Sequence, residues 1–138
     1  MPKGKDIVQL ASLQIGKAYI FGAEDEGNPN PKAFDCSELV QWVCEQLKVN
    51  PAMVDGAVNQ LAHCQHHGLT ITVDESRRIP GALVFMRDPD TKRIHHVAIS
   101  DGMGNTVEAR GKDFGVGRWS WRKGFTDAGK IPGVDYGA

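Results

Sequence analysis

The chain is poor in cysteine, has almost no net charge and contains no long apolar run. Its three cysteines are an odd number, which argues against a disulfide framework. Cys36 and Cys44 fall on one predicted helix, about 12 Å apart at the helical rise, too far for a bridge. Cys44 and Cys64 read most simply as buried thiols. The formal net charge is −1, so no basic field points to nucleic acid or to an anionic membrane. No apolar stretch is long enough to span a bilayer. Met1-Pro2-Lys3-Gly4-Lys5-Asp6 lacks the apolar core of a signal peptide. The expectation is a protein made in the cytoplasm without a classical export signal. There is no internal repeat, linker or low-complexity segment. The 138 residues suit one domain over 1–138, able to bury roughly two thirds of its unfolded surface without a disulfide, metal or cofactor.

What is present is an ordered change of pattern. Ile7, Val8, Leu10, Ala11 and Ile15 predict a short amphipathic helix over 5–15, stopped by Gly16. Residues 17–34 read as a loop. Helices are predicted over 36–48 and 55–67, the second closed by Gly68. Strands are predicted over 69–73, 82–86, 95–100 and 105–110, with a short edge strand within 114–121. The tail 131–136 reads as surface, and Trp119, Trp121 and Phe125 as packing rather than as a substrate groove. Helices first and hairpin-linked strands second predict an α+β fold, its helices packed on an antiparallel sheet.

Asp35-Cys36-Ser37-Glu38 opens the second helix. Asp35 stands where an N-cap belongs, and Glu38 completes a capping box three residues on. Cys36 is then the first helical residue. It faces the positive end of the helix dipole and unpaired backbone N–H groups. Both favour the thiolate, the nucleophilic form. Cys36 shares a stripe with Leu39, Val40, Val43 and Leu47, so its thiol is expected to point toward the sheet.

The hairpin at 95–110 predicts a partner for that thiol. Pairing Ser100 with Gly104 places His96 opposite Glu108, Ala98 opposite Thr106 and Ile94 opposite Arg110. One face then carries His96, Ala98, Ser100, Thr106, Glu108 and Arg110, and the other Val97, Ile99, Val107 and Ala109. An imidazole and a carboxylate come about 5 Å apart at Cβ. A cysteine nucleophile needs a histidine to take and return a proton, and a third group to orient that histidine. Cys36, His96 and Glu108 fit these roles, and small Ala98 would let the helix approach. His95 falls on the face away from Glu108. The plainer alternative is that Glu108 pairs with Arg110 or Arg93. His63, Cys64, His66 and His67 form a second cluster, but no Glu lies between His63 and His67 as in a zinc-binding H-E-x-x-H. Favourable placement of His66 and His67 at a helix C-terminus accounts for them, and no metal is expected.

Four motifs now stand in order: Gly16-Lys17-Ala18-Tyr19-Ile20-Phe21-Gly22, Phe34-Asp35-Cys36-Ser37, Pro80-Gly81-Ala82-Leu83-Val84-Phe85 and His96-Val97-Ala98-Ile99. Over about residues 6–118 the chain resembles the NlpC-type cysteine peptidases, bacterial and phage enzymes that cut the stem peptides of peptidoglycan. The resemblance implies a papain-like fold, Cys36 as nucleophile and His96 as base. It also implies that Tyr19, Asp35 and Ser37 bind substrate, including a free N-terminal amine. Arg110 joins them as a substrate-binding candidate. Three positions depart from the pattern. Glu38 replaces a usual Gly, Ala82 a usual Asp, and Glu108 a usual His, Asn or Gln. The run Glu108-Ala109-Arg110-Gly111 resembles phage-associated members, which implies a lysin or tail-associated domain. The expected partner is a peptidoglycan stem peptide, met at the bacterial wall by a monomer. The rival readings are an amidase, acyltransferase or transglutaminase-like enzyme on the same fold, and a non-catalytic wall-binding module.

Overall fold

A computed structural model describes residues 1–22 and 27–137. Helix α1 (Gly4–Ser12) comes first, followed by two short strands, β1 (Ala18–Tyr19) and β2 (Ala33–Phe34), paired in parallel. The predicted loop over 17–34 therefore contains a small sheet, and its residues 23–26 lie outside the described ones. Helices α2 (Cys36–Gln46) and α3 (Ala57–His66) follow, then β3 (Thr70–Ile71), α4 (Val73–Ser76) and β4 (Leu83–Arg87). Strands β5 (Ile94–Ser100), β6 (Asn105–Ala109), β7 (Val116–Ser120) and β8 (Phe125–Gly129) complete the chain.

The larger sheet has six strands in the order β3-β8-β4-β5-β6-β7, antiparallel throughout. The α+β reading holds, and β7 is the edge strand expected within 114–121. Two elements differ from expectation. The strand predicted over 69–73 ends at Ile71, and Val73 instead opens α4, capped reciprocally. Thr72 Oγ1 accepts from Glu75 N at 3.0 Å, and Glu75 Oε1 accepts from Thr72 N at 3.1 Å. Strand β8 lies between β3 and β4 in the sheet although its sequence, Phe-Thr-Asp-Ala-Gly, has no apolar alternation.

The sheet divides the core. On the face carrying Val97, Ile99, Val107 and Ala109, α1, α2 and α3 bury Ile7, Leu39, Val40, Val43 and Leu61. The other face holds a smaller cluster of Val84, Ala98 and Ala128, covered by Ile71, Val73, Trp121 and Phe125. Ala98 therefore does not make room for α2, as its small size suggested; it packs on the far side of the sheet. Trp121 and Phe125 are packing residues, with ring centroids 5.1 Å apart.

The tail is not a surface strip. Ile131 is 1 % exposed. Tyr136 Oη accepts from Ile131 N at 2.9 Å and donates to Gly81 O at 3.0 Å. Asp135 pairs with the N-terminal segment, accepting from Gly4 N and donating to Pro2 O. This seam is tight. A Cβ at Gly81, whose φ is +85°, would stand 2.4 Å from Gly4 O, so the Pro80-Gly81 entry to β4 needs its glycine.

Candidate active site

Cys36 opens α2, as its capping pattern predicts. Asp35 is the N-cap, and its Oδ1 accepts from Glu38 N at 2.7 Å and from Ser37 Oγ at 3.1 Å. Asp35 Oδ2 accepts from Gly22 N at 3.0 Å, tying the segment after β1 to the helix start. From α3, fully buried Gln60 donates to Ser37 O at 2.9 Å and to Val54 O at 3.0 Å. The thiol is thus held by a helix terminus fixed from two sides, and Cys36 is half-buried.

The hairpin register differs from expectation by two residues. Ser100 pairs with Thr106 and Ile99 with Val107. The loop is longer because Asp101 closes it, accepting at Oδ1 from Met103 N at 2.7 Å and from Asn105 N at 3.0 Å. A slip of two keeps every side chain on its face. His96 and Glu108 therefore remain on one face, offset along the strands rather than directly opposite. At the start of β5 the alternation breaks. The β4 partner register shifts between Met86 and Arg87, and Ile94 and Val97 both join the helix-side core.

At that irregular end the three candidates meet. His96 is buried beside the Cys36 thiol, close enough for the sulfur to favour its protonated form. Its Nε2 lies 2.7 Å from Glu108 Oε1. With Nε2 engaged there, Nδ1 is the ring nitrogen left for the sulfur. Glu108 is 1 % exposed and has two further partners. Thr106 Oγ1 donates to its Oε2. Arg122 grips both oxygens, Nη1 to Oε2 at 2.9 Å and Nη2 to Oε1 at 2.6 Å. A bidentate guanidinium–carboxylate pair is the strongest way to hold a buried carboxylate ionised.

These contacts set the charges. Burial opposes ionisation of Glu108, but bonds from His96, Arg122 and Thr106 outweigh it and hold the carboxyl down at about 2. Burial likewise opposes protonation of His96, but its bonds to Cys36 and Glu108, with the charges of both, push it up to about 9. The stability consequence has a definite sign. The His96 contribution is complete below its ordinary value of 6.5 and is lost as pH rises through about 9. The Glu108 contribution is complete above its ordinary value of 4.5 and is lost as pH falls through about 2. Both operate between pH 4.5 and 6.5. Urea unfolding of the native protein should weaken above that window by up to about 3 kcal/mol relative to a His96→Ala protein. An equal alkaline slope in both would contradict this.

A cleft of about 470 Å³ opens at Cys36. One wall is Tyr19, Phe21 and Gly22 with Asp35 and Ser37, and the other is Asp55 to Val58 at the start of α3. The Tyr19 hydroxyl is raised to about 12 by burial, then by the neighbouring charges of Cys36 and Asp35. Tyr19, Asp35 and Ser37 are thus brought to the thiol. Arg110 is not; its guanidinium lies 4.7 Å from the Phe114 centroid and 5.1 Å from that of Trp119. Glu38 is buried beneath the helix start and does not line the cleft. Exposed His95 lines the cleft, a place that reading the faces did not give it. Arg122 was also missed. It lies fourteen residues beyond Glu108, and no local spacing connects the two.

The other cysteines and histidines lie elsewhere. Cys44 and Cys64 are free and buried, each pushed up to about 12 by burial. His63 and His67 contact edge to face, with centroids 4.9 Å apart. Among the described residues, no group of three or more His, Cys, Asp or Glu is placed to hold a metal. No helix among them is long and apolar enough to cross a membrane.

No curated protein matches the chain in sequence. Among solved structures, it is similar to the NlpC/p60 domain of the peptidoglycan hydrolase SagA, at 28% identity and TM-score 0.73, covering 94% of this chain and 99% of that one. It is similar to NlpC2 from Trichomonas vaginalis at 22% identity and TM-score 0.75, covering 93% of this chain but 46% of that one. It is similar to the peptidoglycan hydrolase RipB from Mycobacterium tuberculosis at 23% identity and TM-score 0.72, covering 94% and 64%. The chain thus spans less than half the length of the Trichomonas protein. The model of the NlpC/P60 family matches residues 16–128, a span that takes in Cys36, His96, Glu108 and Arg122. The chain belongs to the NlpC/P60 family.

Proposed function

We propose that the chain is a cysteine peptidase that hydrolyses the stem peptides of peptidoglycan. The observation that carries the reading is buried His96, bonded to Glu108 at 2.7 Å, beside a Cys36 thiol that lines an open cleft. Family membership and the likeness to the SagA domain support a cell-wall substrate.

In this reading the Cys36 sulfur attacks a peptide carbonyl. His96 takes the thiol proton and passes it to the leaving amine, and water then releases the acyl group with His96 as base. Glu108 fixes the imidazole and its charge, and is itself fixed by Arg122. The amides at the start of α2 point at the developing oxyanion. Asp35, Ser37 and Tyr19 receive a free N-terminal amine of the substrate, a carboxylate facing an ammonium. The bond proposed is one beside a D-amino acid, such as γ-D-Glu–diamino acid, and the setting is the bacterial wall. The Glu108–Gly111 run adds a phage lysin or tail-associated role to that proposal.

Digestion of defined muropeptides, read by product mass, tests it. Two peptide fragments whose masses sum to the substrate plus one water support hydrolysis at a named bond. Products carrying a new amide link would instead mean acyl transfer, and an unchanged substrate would contradict an enzyme of this class.

A further inference from the structure

We propose that the cluster formed by Arg77, Arg122 and Lys123 is a binding site for a phosphate group. These side chains line a pocket of about 320 Å³ together with Val73, Trp121 and Phe125, on the far side of the sheet from α2. The pocket is distinct from the Cys36 cleft; the two share no lining residue.

The charge is concentrated and largely unmatched. The chain as a whole is close to neutral, yet three cations and no carboxylate line this pocket. Glu108 behind the wall pairs with Arg122, and with His96, but with neither Arg77 nor Lys123. Among the described residues, Arg77 and Lys123 form no ion pair. Nearby acids are engaged elsewhere: Asp74 with Arg78, and Asp127 with Arg87. Two unmatched positive charges suit a dianion.

The donors are also free to bind. A guanidinium has five N–H groups, and the grip of Arg122 on Glu108 uses one from each terminal nitrogen. The remaining three are left for a ligand. Both guanidiniums are held by aromatic faces, which consume no N–H. Arg122 lies 5.1 Å from the Phe125 centroid and Arg77 5.8 Å from that of Trp121. Aromatic platforms that orient arginine, with a lysine as point charge beside them, are a natural receptor for phosphate oxygens. Because Arg122 also holds Glu108, a phosphate seated here would contact the residue that anchors the Glu108 carboxylate, one step removed from His96.

The probe is inorganic phosphate, titrated at constant ionic strength into ¹⁵N-labelled protein while the Trp121 indole N–H resonance is followed. A saturable shift is expected, with about tenfold weaker binding in an Arg77→Gln/Lys123→Gln protein. Lys123→Glu alone should also weaken it and guards against misfolding of the double variant. A Cys36→Ala protein should bind phosphate as the native one does, so failure of the peptidase reading would leave this result intact. A shift that does not saturate, that is unchanged in both pocket variants, or that acetate reproduces at equal concentration would overturn the proposal.

Discussion

A His96→Ala protein is expected to remain folded and to lose about 10³-fold of its hydrolytic rate. The fold should survive because the buried carboxylate it exposes is not orphaned. Glu108 keeps the two bonds from Arg122 and the one from Thr106. An ion pair that retains its partner avoids the large penalty of an isolated buried charge. The rate should fall because Cys36 loses the group that accepts its proton and returns it to the leaving amine. Exposed His95 lines the same cleft, but it has no bond to Glu108 to fix its ring, so it should not substitute. Circular dichroism, urea unfolding and muropeptide turnover check the two halves separately. Activity within a few-fold of native would mean that His96 is structural.

The second large effect concerns Glu108, which stands where the pattern of the resembled family usually has His, Asn or Gln. Glutamine should nevertheless fail here, and the reason is Arg122. A carboxylate offers acceptors to both guanidinium nitrogens, whereas an amide offers one acceptor and one donor. Glu108→Gln therefore sets N–H against N–H in a buried site and leaves the Arg122 charge without its counterion. The expected cost is about 2–4 kcal/mol in stability. The loss of the carboxylate also lowers the His96 pKa from its raised value, so the alkaline limb of the pH–rate profile should move to lower pH. Removing the conflicting partner should help. Glu108→Gln combined with Arg122→Leu should be more stable than the sum of the single changes by about 1–2 kcal/mol. Strict additivity would show that the grip seen at 2.6 and 2.9 Å carries no coupling. Stability alone also reports packing; the movement of the pH–rate limb reports the charge on His96.

The elements that position Cys36 and His96 are encoded locally, which is why they were legible. Asp35 and the apolar stripe behind it define the start of α2 within a few residues. The alternation around Val97 and Val107 defines the two faces of the hairpin, and period 2 protects that assignment from the two-residue register error. The register itself was not legible, because a buried Asp101 side chain closes the loop rather than the backbone alone. The α4 turn did have a signal, the Thr72-x-x-Glu75 capping box, which the alternation of Leu69 to Val73 overrode. Strand β8 had none: its Thr, Asp and Gly are made central by neighbours on both sides. Arg122 belongs to the same class. A buried acid beside a histidine calls for a cation, but sixteen Lys and Arg residues were available, and only the fold selects one. The Ile131–Tyr136 tail was misread because Pro132 and Gly133 suggest a turn, whereas the seam with residues 2–4 buries it.

The central claim is that the Cys36 sulfur performs the chemistry, and one comparison tests it. Purified peptidoglycan is incubated with native protein and with Cys36→Ala protein of matched fold and concentration, and soluble peptide fragments are measured by mass. Cys36 contributes little to the core and Asp35 still caps the helix, so the variant should fold. The prediction is steady release by the native protein and none above background by the variant. Equal release by both would contradict it.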